Sequence, residues 1–245
     1  MTASEAIELP AAPLPAIDEE TARAIEAVAL GANDRYLHEL IERHAFCPFA
    51  RGGRAAGETS RYVHWADSRS TDALVERLRL VADDPKQVVA QVIFPALEVA
   101  PEAWVRFVDR LTALGHARRG GPTALAFAAL HPRLAYSDRN PFALIPLFRR
   151  APDPTIQWVR LDTLAEVYAG READARYVDP RDVLAFVRDH PSPKTPLYER
   201  IAETNDRVAH EIGLERVEAQ LAEIAEQARR DYERVLREHG IARGG

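Results

Sequence analysis

The sequence predicts an α/β (mixed α+β) fold, with a partly parallel sheet covered by helices and a long helical C-terminal segment. Three observations support this prediction. Short apolar or β-branched runs alternate with amphipathic stretches between residues 59 and 161, as strand–helix–strand units require. Apolar residues then recur every three or four positions across residues 197–239. Apolar residues make up 47% of the chain, which is sufficient for a sizeable core.

The same patterns divide the chain into three parts. Residues 1–16 hold three prolines among small residues and predict a disordered N-terminal segment. Residues 17–170 are predicted to form an α/β core domain. Residues 171–245 are predicted to form a helical C-terminal extension that packs on this core.

The first elements follow from local signals. Asp18 is a candidate N-cap for a helix that runs to His44, with Gly31 as a candidate interruption. A loop rich in glycine, arginine and alanine is expected over residues 51–60. A short strand over residues 59–65 and a helix over residues 71–81 follow.

The predicted sheet continues with a buried strand over residues 87–94, which is β-branched and bounded by prolines. A helix is predicted over residues 101–114, with proline in its first turn. Residues 123–130 form a short apolar run between prolines, which favours a strand. Residues 142–148 and 155–161 are further candidate strands.

Helices are predicted over residues 161–169, 180–190 and 197–239, with a break in the last near Gly213. The long apolar stripe of residues 197–239 favours a helix pair that covers the sheet. The alternative is an interaction surface, either a non-enzymatic partner-binding helix pair or an arm for homodimerisation.

Composition excludes several classes of protein. The net charge of −6 does not favour nucleic acid as a partner. No apolar run has the length of a membrane span, and the N-terminus lacks the pattern of a signal peptide. A single cysteine favours a reducing compartment, so a cytoplasmic protein without a membrane partner is predicted.

Cys47 is the most distinctive residue of the sequence. It is the only cysteine, and it lies directly before Pro48, which disfavours continuation of the preceding helix. His44 lies three residues earlier, so both side chains can face one side of a helix end. Cys47 is therefore either a buried apolar residue, a metal or cofactor ligand, or a nucleophile.

His131 ends the apolar run 123–130 and is followed by a polar stretch with Asp138, Arg139 and Asn140. Polar residues after a strand end are where α/β proteins place ligand sites. Neutral imidazole is a common metal ligand, so His131 is a candidate ligand. The alternative is a structural histidine bonded to a backbone carbonyl.

A non-haem metal or hydrolytic site could combine His44, Cys47, His131 and Asp138. The pair Arg149-Arg150 could bind an anion, although adjacent arginines are more often solvated surface. The glycine pairs match neither the P-loop nor the dinucleotide-binding pattern.

Two of these motifs together resemble a bacterial family of unknown function. That family is marked by a helix leading into Cys-Pro-Phe-Ala, by His-Pro after an apolar strand, and by an Arg/Asn-x-Pro segment. The corresponding residues are 47–50, 131–132 and 139–141. The resemblance covers roughly residues 22–150, with a fainter echo at residues 202–205.

More remotely, the layout is similar to the haem-dependent N-oxygenases of the guanitoxin and azomycin type. This resemblance implies a haem cofactor and oxidation of an amine or guanidine nitrogen of a small polar substrate, with peroxide or a redox partner. It implies His131 as axial ligand, with Cys47 as the rival. His44 and Arg51 would then lie near the haem, and the substrate would be oriented by Asp138, Arg139 and Asn140. The long C-terminal helices and residues 155–162 depart from the pattern.

Overall fold

A computed structural model describes residues 7–47, 50–84, 86–119, 125–160 and 197–241. The helices predicted over residues 161–169 and 180–190 lie outside the described residues. So do Pro48 and Phe49, which directly follow Cys47.

The described helices and strands alternate along the chain up to β4. The helices are α1 Glu19–Arg35, α2 Ala50–Ala55, α3 Asp72–Asp83, α4 Pro101–Arg119, α5 Pro141–Phe148, α6 Leu197–Ile212 and α7 Leu214–Glu238. The strands are β1 Thr59–Val63, β2 Val89–Ile93, β3 Leu125–Leu130 and β4 Thr155–Arg160. Helix α1 continues without a break into a π-helical segment, Tyr36–Glu42.

The four strands form one mixed sheet in the order β1-β2-β4-β3. β1 and β2 are parallel, whereas β4 is antiparallel to both of its neighbours, β2 and β3. β1, β2 and β3 therefore run in the same direction and end at the same edge of the sheet. This arrangement confirms the predicted partly parallel sheet.

Alternate residues of β2 face two different cores, which is why all five are buried. Ala90 and Val92 face a cluster that includes Trp104 of α4 and Trp158 of β4. The opposite face, which carries Ile93, is covered by α1 and α7.

The N-terminal segment differs from the prediction. Leu9 is only 1% exposed and, with Ile7, belongs to the cluster around Trp104. Its N–H donates to the carbonyl of Arg69 at 3.0 Å, and Leu14 N–H donates to Ala66 at 2.7 Å. The prediction of disorder is therefore wrong for residues 7–16. Two apolar side chains reach the core although the segment has no periodic apolar pattern.

Residues 142–148 form helix α5 and not the predicted strand. Asn140 caps this helix, since its Oδ1 accepts from Ala143 N–H at 2.9 Å, and Pro141 occupies the first turn. The predicted loop 51–60 contains helix α2, and Gly31 does not interrupt α1.

The C-terminal helices pack on the rest of the chain. Gly213 separates α6 from α7 with a φ of 95°, a left-handed conformation that favours glycine. The apolar stripe of α7 is buried against α1, the π-helical segment and α5. The stripe thus belongs to the core of the chain, as the covering-helix interpretation predicts. Among the described residues, no helix combines the length and apolar character needed to cross a membrane.

Candidate functional site

His131 is a structural histidine in this fold. It is 1% exposed, and its Nε2 lies 3.1 Å from the carbonyl of Val99 while its Nδ1 accepts from Arg133 N–H at 3.1 Å. These contacts assign the proton to Nε2, which donates to Val99. Burial lowers the pKa of His131, which favours the neutral ring. Both ring nitrogens are engaged, so His131 does not fit the predicted role of axial ligand.

The predicted substrate-orienting residues lie on the surface. Asp138, Arg139 and Asn140 are all exposed, and none of them lines the cavity described below. Asn140 is the N-cap of α5, and Arg139 Nε donates to Ser137 Oγ at 3.1 Å. The polar run after His131 therefore shapes a turn and begins a helix.

His44 and Arg51 each contact a different residue close to them in the chain. His44 packs on the ring of Phe46, with ring centroids 5.6 Å apart. Arg51 donates to the carbonyl of Glu42 at 3.1 Å. Over the described parts of the chain, no three His, Cys, Asp or Glu side chains come close enough to hold a metal. The predicted metal set of His44, Cys47, His131 and Asp138 is therefore not assembled.

Cys47 lines a cavity of about 260 Å³, and so does Arg149 of the arginine pair, whereas His44, Arg51 and His131 do not. The cavity lies between one face of the sheet and the helices that cover it. Its wall is mostly apolar and includes side chains of the π-helical segment, α2, α5 and α6. The polar residues that line it, apart from Cys47 and Arg54, are Tyr36, Thr59, Gln91, Arg149, Gln157 and Asn205.

Two features define the turn that places Cys47 at the cavity. Ala45 has a φ of 55°, in the left-handed region that a non-glycine residue rarely adopts. Asn205 of α6 is buried and donates from Nδ2 to the carbonyl of Phe46 at 3.0 Å. Helix α6 therefore holds in place the turn at Cys47, where the Cys-Pro pair predicts that the preceding helix does not continue.

Tyr36 lies in the π-helical segment, a distortion that is frequent at functional sites. Its hydroxyl donates to the carbonyl of Phe148. Burial raises the pKa of Tyr36, the nearby Cys47 raises it further, and Arg149 lowers it. The phenol is therefore neutral at physiological pH and is electrostatically coupled to both the thiol and the guanidinium.

Two arginines line the cavity, and they differ in their partners. Arg54 forms a bidentate pair with Glu42, at 2.8 and 2.7 Å, and the Glu42 side chain is only 5% exposed. Arg149 makes no side-chain hydrogen bond or ion pair within the described parts of the chain. The residue is exposed, although nearby protein lowers the pKa of its guanidinium by desolvation. It remains protonated at neutral pH, so it is a cation in the cavity wall without a described counter-ion.

The sheet contributes polar groups to the same cavity. Gln91 of β2 donates from Nε2 to Gln157 Oε1 of β4 at 2.8 Å. Gln91 Oε1 and Thr59 Oγ1 are both buried and have no hydrogen-bond partner in the described structure. Unpaired buried polar atoms are uncommon and require an explanation.

Several of these residues carry a signal in the sequence. Arg149 belongs to the Arg149-Arg150 pair, and Gln91 interrupts the apolar run of β2. Tyr36 carries no such signal, because it continues a helical apolar pattern. No protein-family model, curated protein or solved structure matches this chain. The interpretation of the cavity therefore rests on its own geometry.

Proposed function

We propose that this protein binds a small molecule with an anionic group in the cavity, and that Arg149 binds the anion. The observation that carries this proposal is that Arg149 lines the cavity without a counter-ion among the described residues, while the residue stays exposed and so within reach of a ligand. A carboxylate or phosphate would pair with it, because its oxygens match the planar donors of arginine in a bidentate pair.

The rest of the cavity indicates the body of the ligand. Leu37 and Ile41 of the π-helical segment, Leu130 and Val159 of the sheet and Ile145 of α5 present apolar surface. The volume of about 260 Å³ lies below the range of roughly 300–1,000 Å³ that holds drug-sized ligands. The ligand is therefore a compact anion with an apolar body.

Binding is supported better than Cys–His catalysis. Cys47 places a thiol at the cavity, but the predicted histidines His44 and His131 do not line it. A nucleophilic cysteine needs an adjacent base or another group that lowers its pKa. The described lining of the cavity contains no imidazole.

The described residues fit a haem group poorly. His131 has no ring nitrogen available, since both are hydrogen-bonded, and neither His44 nor His131 lines the cavity. Cys47 is the one predicted ligand that reaches the cavity. Nitrogen oxygenation at a haem stays a prediction from resemblance.

The test compares hexanoate with its neutral analogue hexanamide by isothermal titration calorimetry on the full chain. A hydrogen bond to a charged group contributes about 1.5–3 kcal/mol, so hexanoate should bind about 10- to 100-fold more tightly than hexanamide. Arg149→Gln should remove this difference.

Arg139→Gln is the matched control, because Arg139 is exposed and lies outside the cavity. It should bind hexanoate as the wild type does. Equal affinity of the wild type for acid and amide, or an unchanged hexanoate affinity in Arg149→Gln, would overturn the proposal.

A further inference from the structure

We infer that the anionic ligand also carries a hydroxyl group, which binds the amide pair formed by Gln91 and Gln157. The ligand class is then a small hydroxy acid, with its anion at Arg149 and its hydroxyl over the sheet. This inference rests on the anion binding proposed above and adds the second point of recognition.

The amide pair joins two neighbouring strands at the wall of the cavity. Gln91 and Gln157 lie directly opposite each other on the antiparallel strands β2 and β4, and both line the cavity. Gln91 is 2% exposed, whereas Gln157 is only partly buried and presents the pair to the cavity. Their one mutual hydrogen bond leaves much of the capacity of two amides unused, and Gln91 Oε1 is without a partner in the described residues.

Folding alone does not explain this pair. The neighbouring positions on the same strands and the same sheet face are Val89 and Ile93 of β2 and Val159 and Thr155 of β4. Thr155 is polar, but its hydroxyl is satisfied because it donates to the carbonyl of Asp153 at 3.0 Å. Leaving a buried polar atom unsatisfied destabilises the fold, whereas apolar residues at both positions would be nearly neutral or stabilising. An incompletely satisfied amide pair on a mostly apolar sheet face, at the wall of a cavity, therefore points to a ligand.

The chemistry of the pair selects the ligand group. Exchanging the amide oxygen and nitrogen of both glutamines would turn the unsatisfied acceptor into an unsatisfied donor. A hydroxyl satisfies either arrangement, because it donates one hydrogen bond and accepts others. Thr59 Oγ1, on the adjacent strand β1, is a second buried polar atom without a described partner in the same wall.

The positions of the two recognition groups set the length of the ligand. The carbonyl of Arg149 accepts from His131 N–H at 3.0 Å, which places Arg149 beyond the end of β3. Gln157 pairs with Ala128, three residues before His131. At about 3.3 Å per residue, the backbones of Arg149 and Gln157 are separated by on the order of 10 Å along the strand direction. Straight-chain hydroxy acids of increasing length therefore measure the spacing of the two side-chain groups.

The experiment measures the affinity of three acids with and without a terminal hydroxyl: butyrate, hexanoate and octanoate, and their ω-hydroxy derivatives. The proteins are the wild type, Arg149→Gln and the double variant Gln91→Leu/Gln157→Leu. In the wild type, at least one hydroxy acid should bind about 5- to 10-fold more tightly than its parent, as one neutral hydrogen bond provides. A hydroxyl without a partner would instead weaken binding in an apolar cavity.

The double variant should lose this preference and keep the affinity for the parent acid. Its thermal stability should equal or exceed that of the wild type, because both partners of the amide pair are removed together. Arg149→Gln should weaken the binding of every acid.

The two proposals fail in different ways. If the parent acids bind through Arg149 but no hydroxy acid is preferred, or if the double variant keeps the preference, the hydroxyl site is wrong and anion binding stands. If none of the six acids binds the wild type, both proposals are overturned.

Discussion

Asp153 provides a direct test of how burial controls the stability of this fold. It precedes β4 and is 3% exposed. Its Oδ2 accepts from Tyr232 of α7 at 2.7 Å, and its Oδ1 accepts from Ala96 N–H at 3.4 Å. Burial raises the pKa of Asp153 from 3.8 to about 7, although both hydrogen bonds oppose this increase. The fold is therefore most stable when this carboxyl is protonated, because the effect of burial outweighs that of the two hydrogen bonds.

The sign of the pH dependence follows from this raised pKa. The contribution of Asp153 to stability is complete below the unfolded pKa of 3.8 and is lost as the pH rises through about 7. A difference of about three pH units corresponds to about 4 kcal/mol, at about 1.36 kcal/mol per unit. That is a large part of the 5–15 kcal/mol that is typical of a folded domain.

Asp153→Asn should remove this loss. The amide mimics the protonated carboxyl, since its oxygen can accept from Ala96 and its NH₂ can donate to the Tyr232 hydroxyl. In urea denaturation, the variant and the wild type should have similar free energies of unfolding at pH 4. At pH 8 the variant should be more stable by up to about 4 kcal/mol.

Asp18→Asn is the matched control with the opposite sign. Asp18 caps α1 by accepting from Thr21 N–H at 2.8 Å, and this bond lowers the pKa of the exposed carboxyl. Its contribution is present above pH 3.8 and is lost as the pH falls. A stability difference between Asp153→Asn and the wild type that does not change with pH would refute the reasoning.

Two further predictions concern residues whose roles differ from the sequence-based expectation. Leu9→Ala should lower the free energy of unfolding by about 2–5 kcal/mol in urea denaturation, because it leaves a cavity in the core. An unchanged free energy of unfolding would instead support the predicted disorder of the N-terminal segment. His131→Ala should destabilise the fold by about 1–3 kcal/mol, since the N–H of Arg133 loses its acceptor and the carbonyl of Val99 keeps only Arg133 Nη2 as a donor. In a hemin titration followed by visible absorption, His131→Ala should give the same spectrum as the wild type. A saturable Soret band in the wild type that this variant lacks would contradict the structural role of His131.

Most of the fold is predictable because the strands and helices differ in period and length. β2 is a short β-branched run bounded by prolines, and α7 repeats its apolar residues over 25 positions. Residues 142–148 are ambiguous by this criterion, since a short apolar run fits a strand or a buried helix. The Asn140-Pro141 pair that precedes them is the signal that decides for a helix.

The site is less predictable, because its parts come together only in the tertiary structure. Cys47 does face the cavity, as its unusual setting in the sequence indicates. The adjacent Arg149 and Arg150 look equivalent in the sequence, yet Arg150 pairs with Glu218 at 3.0 Å and lies over the ring of Tyr136. The partner of Arg150 is 68 positions away in the chain, so local patterns cannot assign which of the two arginines finds an acidic partner among the described residues.

The central position of β4 has a consequence for how the chain is made. β4 is the last of the four strands to be synthesised, but it lies between β2 and β3. Until residues 155–160 leave the ribosome, β3 has no strand beside it, and the β1–β2 pair stops at an open edge. The nascent chain therefore carries the β1–β2 pair and β3 as separate pieces. Residues 155–160 then join them into one sheet and, in the same step, complete the wall that the sheet contributes to the cavity.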